Sequence, residues 1–451
     1  MFKLYLVLVL ATAGLARDLR EPNWPTNICS TLKATLKESS TGYLPESAEN
    51  HPDTKTIQNA LNNCGSGKAV KLVQGSGNAF LSGPLTIPSG VTLWIDGGVT
   101  LFASRNPRDY DKTSNACGVL GKGSTGCKPL ITVKNTKKSG IVGQGTIDGR
   151  GGQKMIGQSQ TWWELALKAK NSGKDQRCPR LIEVESSQDF TLYKVILHNS
   201  PNFHVVTHNV DGFTVWSVIV ETPSKAYPSG THARNTDAFD PNGVNIHFNN
   251  VYISTGDDNI AIKGGVSQVK NVLVENCHFY NGHGMSIGSE TTYGVQNVTV
   301  KNLSIDGADN GIRIKSDASR GGTVTNINYE NICMRNVGCA LTFDSYYSSS
   351  KGSHIPNFQN INLSNVRVLS TSKKSAVFRG YDKNHPVKVS LSNVVSDVKL
   401  TKITASNAEI TLQGCSNLGV SSSSGQNVKV SDKGGKSSPI DCSKMFPSFP
   451  H

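Results

Sequence analysis

The sequence predicts an all-β chain wound as a single-stranded parallel β-helix, with a short N-terminal capping helix. Three observations predict it. A strand–turn–strand unit recurs through the middle of the chain. Gly, Asn, Ser, Thr and Val are plentiful while long amphipathic stretches are scarce, which disfavours a helix bundle or a doubly wound α/β domain. Asn-Gly hairpin turns between strands are few, which disfavours a sandwich.

The repeat is clearest when five segments are stacked: Val244–Phe248, Lys270–Val274, Gln296–Val300, Thr325–Tyr329 and Gln359–Leu363. Each opens with an Asn at its second position and alternates like a strand. A second Asn follows five residues later (Asn250, Asn276, Asn302, Asn331, Asn365), and an apolar residue follows that. The steps between units are 26, 26, 29 and 34 residues, with looser copies near Leu181–Leu197 and Gly212–Val220. A period of this length marks a solenoid. Without crossover helices, the coils must lie on one another as parallel strands, about 4.8 Å apart. Asn at matching turns can then hydrogen-bond from coil to coil.

The remaining elements follow in order. Residues 1–16 read as an export signal: Met1-Phe2-Lys3, an apolar run from Leu4, and small residues ending at Ala16. That run is too short to cross a bilayer, and no later stretch is long enough. The mature chain is therefore expected to be secreted and extracellular. Residues 17–415 are read as the β-helix domain and 416–451 as a Ser/Gly/Lys-rich tail, loosely packed and pinned at Cys442. Asp53–Asn63 reads as a helix with Ile57, Ala60 and Leu61 on one face, plugging the first coil. Thr161–Leu167 reads as a short helix between coils.

Ten cysteines follow the signal, and export permits disulfides. The expected pairs are Cys29–Cys64, Cys117–Cys127, Cys333–Cys339 and Cys415–Cys442, with Cys277 a free buried thiol. No cysteine–histidine spacing suits zinc, so no metal is expected. Asn297, Asn302 and Asn362 head glycosylation triplets.

The chain of 451 residues carries 46 Lys+Arg against 33 Asp+Glu, a formal charge of +13. With 36% hydrophobic residues it is not a disordered chain. The charge implies a polyanionic partner. A nucleic-acid binder lacks any recognisable motif here, and no membrane contact is expected.

Charged residues concentrate where the repeats turn: Asn235-Thr236-Asp237, Gly256-Asp257-Asp258, Gly282-His283-Gly284 and Arg313-Ile314-Lys315. Each alone is an ordinary turn or a solvated strand face; their order and periodic alignment carry the reading. Asp257 and His283 are one period apart. Arg313 and Lys315 share a face of one strand, expected roughly 10 Å from the aspartates. Crowded acids cannot all ionise cheaply, so one is driven towards its protonated form. A protonated acid facing an ionised one is what glycosidic hydrolysis requires. The two cations suit substrate carboxylates.

At these four motifs the sequence resembles the family 28 glycoside hydrolases, the polygalacturonases. Ser200–Val206, Thr255–Asn259 and Gly282–Glu290 resemble the bacterial endo-acting members, and the likeness runs from about Cys29 to about Ser406. The resemblance implies a right-handed parallel β-helix that hydrolyses α-1,4 bonds of homogalacturonan (pectin) with inversion, as a monomer and without cofactor. Asp257 matches the general acid, and Asp237 and Asp258 the pair that activates water. His283 matches the residue supporting the acid's protonation. Asn235, Arg313 and Lys315 match substrate-binding positions. The family's Tyr beyond Arg-Ile-Lys is matched by Tyr347, with Tyr346 the alternative. Ser224–His232 looks like an extra loop. The competing readings are an exo-acting or rhamnogalacturonan hydrolase, a calcium-dependent pectate lyase, and a non-catalytic pectin-binding β-helix.

Overall fold

The computed structural model describes residues 19–123 and 125–450; the expected export signal lies outside them. The chain forms a parallel β-helix, with a twenty-stranded sheet and an eleven-stranded sheet among the described residues. A small antiparallel pair joins Val119–Gly121 to Asp175–Arg177.

The eleven-stranded sheet carries the chemistry. Its strands, in chain order, are β1 (Leu85–Thr86), β2 (Ile131–Lys134), β3 (Ile182–Glu185), β4 (Val205–His208), β5 (Phe239–Asp240) and β6 (Ile260–Ile262). They continue as β7 (Met285–Ile287), β8 (Asn310–Lys315), β9 (Val337–Asp344), β10 (Thr371–Arg379) and β11 (Lys402–Ser406).

The twenty-stranded sheet pairs Val244 with Lys270, Lys270 with Gln296, Gln296 with Thr325 and Thr325 with Gln359, the alignment the repeat predicts. Inward side chains stack in file. Val272, Val298, Ile327, Ile361 and Val389 are successive partners, and all are buried. Such files remove apolar surface from water at about 25 cal/mol per Å².

The asparagines explain the turns. The recurring spacing places them at φ between 51° and 59°, a left-handed conformation that Asn tolerates better than most residues. Their amides form ladders: Asn271 donates to Asn245 at 3.1 Å, Asn297 to Asn271 at 3.4 Å and Asn326 to Asn297 at 3.3 Å. A second ladder runs through Asn276, Asn302, Asn331 and Asn365, starting from Asn249. Asn250 instead donates to Ser217. The triplet asparagines 297, 302 and 362 all spend their amides this way.

Helix α1 (Thr54–Asn62) buries Ile57 and Leu61 and sits on the exposed edge of β1. Gln58 bonds the Thr86 backbone in both directions, at 2.9 and 2.8 Å. Helix α2 (Trp162–Asn171) begins where expected, in a capping box between Thr161 and Glu164. It runs beyond Leu167 because Ala169 continues its buried face.

The disulfides correct part of the expectation. Cys29–Cys64 and Cys117–Cys127 form, but the third bond is Cys333–Cys442. Cys415 and the buried Cys178, Cys277 and Cys339 are free thiols. Cys333 and Cys339 lie on different sheets, separated by the turn at Asn336, so closeness in sequence does not bring them together.

The segment beyond Ser416 is also better ordered than its composition suggests. Val428–Asp432 adds a parallel strand beside Ala408–Gln413. The chain then runs back along the solenoid. Ser438 bonds Asn393, Arg367 donates to the Ile440 carbonyl, and the disulfide follows. Arg335 lies 4.3 Å from the Phe446 ring centroid, and the Tyr280 hydroxyl donates to the Pro447 carbonyl at 2.5 Å. The loop of residues 224–232 is packed too: Tyr227 lies 5.0 Å from the Trp163 ring, and the Tyr43 hydroxyl donates to the Ala226 carbonyl.

Candidate active site

Parallel pairing brings the four motifs to one edge. Phe239 pairs with Ile260, Ile260 with Met285, and Met285 with Ile312. Counting back from these pairs sets Asp237 level with Asp258. Gly256 makes the turn before the paired acids; a Cβ there would meet the Ala233 carbonyl at 2.1 Å.

Asp257 accepts hydrogen bonds from the Asp258 amide at 3.0 Å and the Asn235 amide at 3.3 Å. Its Oδ1 lies 2.9 Å from His283 Nδ1. Burial alone raises this carboxyl, but the bond to and charge of His283 outweigh it, so the acid is held below its ordinary range. His283 is correspondingly raised: burial opposes its charge, while Asp257 and Asp258 favour it more strongly and Arg313 opposes it. The other ring nitrogen, Nε2, lies 3.2 Å from Asp309 Oδ2.

Asp258 differs. Lys315 Nζ is 2.7 Å from its Oδ2, and Arg313 bonds its Oδ1. These contacts replace the expected 10 Å separation. The intervening strand β7 offers the small Ser286 level with Arg313, over which the guanidinium reaches. Ser286 Oγ donates to Asp258 Oδ1 and accepts from Arg313 Nε, both at 3.0 Å. Burial raises the Asp258 carboxyl, but Lys315 and Arg313 overcome this and hold it well below the ordinary range.

Asp237 takes the opposite state. It is buried, and its Oδ1 has no hydrogen-bond partner among the described residues. Burial, then the charges of Asp257, Asp240 and Asp258, raise it well above the ordinary value. The edge thus holds one acid driven towards its protonated form, one clamped carboxylate and one carboxylate–imidazole pair. Asp257, Asp258 and His283 present ligand atoms within 4.8 Å of one another. Both Asp258 oxygens and both His283 nitrogens are already engaged, so the trio is not read as a metal centre.

Of the other expected residues, Asn235 has φ 56° and its side chain accepts from Gln176 at 3.1 Å. Lys315 Nζ lies 4.8 Å from the Tyr347 ring centroid, which brings Tyr347 to the site. Tyr346 is turned away, stacked on Tyr381 and donating to its carbonyl.

Three contributors escape sequence reasoning. Asp309 carries no motif; its place shows only once β8 is set against β7. Ser286 is ordinary in sequence. Asp240, three residues after Asp237, is buried with Oδ1 unpartnered among the described residues and is raised to about 6, mainly by burial. Lys263 stands 4.0 Å from Asp240 and 3.4 Å from Glu290, continuing the charged floor.

A glycoside hydrolase built on a parallel β-helix is the class that this fold and this edge of acids define. Comparison with known proteins supplies the particular group. The chain belongs to the glycosyl hydrolases family 28, whose profile matches residues 64–416. It is 42% identical to a polygalacturonase of Ralstonia solanacearum, over 95% of this chain and 92% of that one. It is 45% identical to an endo-polygalacturonase of Pectobacterium carotovorum subsp. carotovorum, over 85% and 90%. Among solved structures it resembles the polygalacturonase from Erwinia carotovora ssp. carotovora, with TM-score 0.73 and 40% identity over 94% of this chain and 99% of that one.

Proposed function

We propose that this protein is an exported endo-acting polygalacturonase that hydrolyses α-1,4-galacturonosyl bonds of homogalacturonan with inversion. The division of protonation among Asp237, Asp257–His283 and Asp258 carries this reading. In it, the Asp257–His283 pair holds one proton, which Asp257 delivers to the glycosidic oxygen as the C1–O bond breaks. A water attacks C1 from the opposite face. Its proton passes to the ionised Asp258, while the protonated Asp237 orients the water by donating to it. The nearest oxygens of Asp257 and Asp258 lie within 4.8 Å, closer than the roughly 6.5–9.5 Å usual for an inverting pair, so inversion is taken from family 28 membership and not from this spacing.

Arg313 and Lys315 serve two functions in this scheme. They keep Asp258 ionised in the free enzyme. A substrate carboxylate that draws on the same cations leaves Asp258 more basic, so the substrate's own charge promotes the step. Tyr347 stands beside Lys315 as a platform for the neighbouring sugar, and Asn235 lines the approach to Asp257.

The raised Asp237 favours a second assignment, in which Asp237 is the proton donor. Export is supported by the residue 1–16 pattern and by three disulfides, which persist in oxidising compartments. The endo mode rests on the endo-polygalacturonase relatives. Timed product analysis on de-esterified pectin tests it. A random cutter lowers viscosity before much reducing sugar appears; release of monomer alone overturns the endo reading. Loss of activity in chelator, with an ultraviolet-absorbing product, overturns hydrolysis in favour of a lyase.

A further inference from the structure

The charge of the chain is unevenly placed. Residues 351–451 contain thirteen Lys and Arg against five Asp and Glu, so this last part holds +8 of the +13. Some of that charge is paired: Arg367 with Asp397, Arg379 with Asp344, and Lys388 and Lys429 with Glu409. Lys373, Lys374, Lys399 and Lys402 are exposed and make no ion pair with a described residue.

These four lysines share the edge on which the candidate site lies. Asn310 pairs with Cys339, Cys339 with Ser375, and Ser375 with Lys402. Counting back from the Met285–Ile312 pair places His283 in the same file. Lys402 therefore stands four strands beyond His283, roughly 19 Å along the solenoid. Lys374 stands three strands away, roughly 14 Å.

The backbone presents them outward. Between Val337 and Cys339 of β9 there is one residue, whereas between their partners Thr371 and Ser375 of β10 there are three. The surplus is a bulge containing Ser372, Lys373 and Lys374, all exposed, with Lys374 at φ 50°. Bulges of this kind re-aim side chains. The Lys374 carbonyl accepts from the Thr401 amide at 2.9 Å, which draws the Lys399–Lys402 turn against the bulge.

We infer that Lys373, Lys374, Lys399 and Lys402 form a polyanion-binding track that extends the substrate path beyond the candidate site, taking carboxylates of a polyuronate several sugars from the cleaved bond. A linear polymer crossing the strands at Asp257 and His283 continues along the solenoid axis and reaches these ammonium groups next. Being exposed, they act through screened attraction, strongest at low salt. The inference rests on the polygalacturonase reading and adds an anchoring surface to it.

The test compares two sets of four Lys→Gln substitutions in the full chain. One set is Lys373, Lys374, Lys399 and Lys402. The control set is Lys429, Lys433, Lys436 and Lys444, which removes equal charge from the tail beyond Ser416. Kinetics are measured on long polygalacturonate and on trigalacturonate over a salt series. The track variant is expected to show a several-fold higher KM on the polymer at low salt and a flatter salt dependence, with trigalacturonate kinetics unchanged. The control variant is expected to behave as wild type. An unchanged polymer KM, or an equal loss in the control, overturns the inference. If the fourfold variant does not fold, the 373/374 and 399/402 pairs are measured separately. If the wild type cleaves neither substrate, the functional reading fails, and retardation of the same variants in polygalacturonate-containing gels still tests the track.

Discussion

Asp258 is clamped by two cations from the strand two coils along: Lys315 Nζ lies 2.7 Å from Oδ2, and Arg313 bonds Oδ1 together with Ser286. All three charged groups are buried. Removing one partner leaves charge without compensation, which typically costs about 3–5 kcal/mol. Lys315→Met should lose stability on that scale in urea denaturation at neutral pH. Asp258 is depressed in the folded state, so the clamp's contribution is present above the ordinary carboxylate range. It is lost as pH falls through the folded value, and the gap between variant and wild type should narrow on acidification.

His283 is raised by Asp257 and Asp258. Its contribution to stability is full below the unfolded value of about 6.5 and is lost as pH rises through the folded value. His283→Gln should therefore differ most from wild type below about pH 6, with the two converging at alkaline pH. Asp309→Asn removes the negative charge beside Nε2 while keeping an amide oxygen that can still accept from the ring. It should lower kcat by roughly tenfold or less, about 1.4 kcal/mol, with little change in KM.

The two candidate proton donors can be separated by leaving-group ability. Asp257→Asn should reduce turnover of polygalacturonate by roughly 10²–10⁴-fold and recover on an aryl galacturonide whose leaving group needs no proton. Asp237→Asn should not recover. The reverse pattern assigns the donor role to Asp237.

Tyr347 and Tyr346 are adjacent but differently committed. Tyr347→Ala removes an exposed ring beside the buried Lys315, a cation–π contact of about 0.5–1 kcal/mol, and should raise KM. Tyr347→Phe should keep most of that contact. Tyr346→Phe loses only its bond to the Tyr381 carbonyl and should leave KM unchanged.

Cys333 and Cys442 are 109 residues apart in sequence. Chain-entropy reasoning gives a closure of that length up to about 4.7 kcal/mol. Cys442→Ser should lower unfolding stability by about 2–4 kcal/mol and make the segment after Val428 sensitive to protease, while kcat stays as in the wild type.

The sequence by itself determined the solenoid and the edge of the site. The Asn spacing states the register because Asn at a left-handed turn can bond the Asn above it, and Val244, Lys270, Gln296, Thr325 and Gln359 do stack as their spacing requires. The same periodicity brings Asp237, Asp257, Asp258 and His283 together. Tertiary structure alone decided the rest. The reach of Arg313 to Asp258 depends on the small Ser286 between them. The approach of Asp309 to His283 depends on how β8 meets β7, and the pairing of Cys333 with Cys442 on where the tail crosses the sheet. A periodic sequence fixes which residues share an edge. Which atoms touch, and which acid keeps its proton, is set by side-chain length and burial, and these have no period.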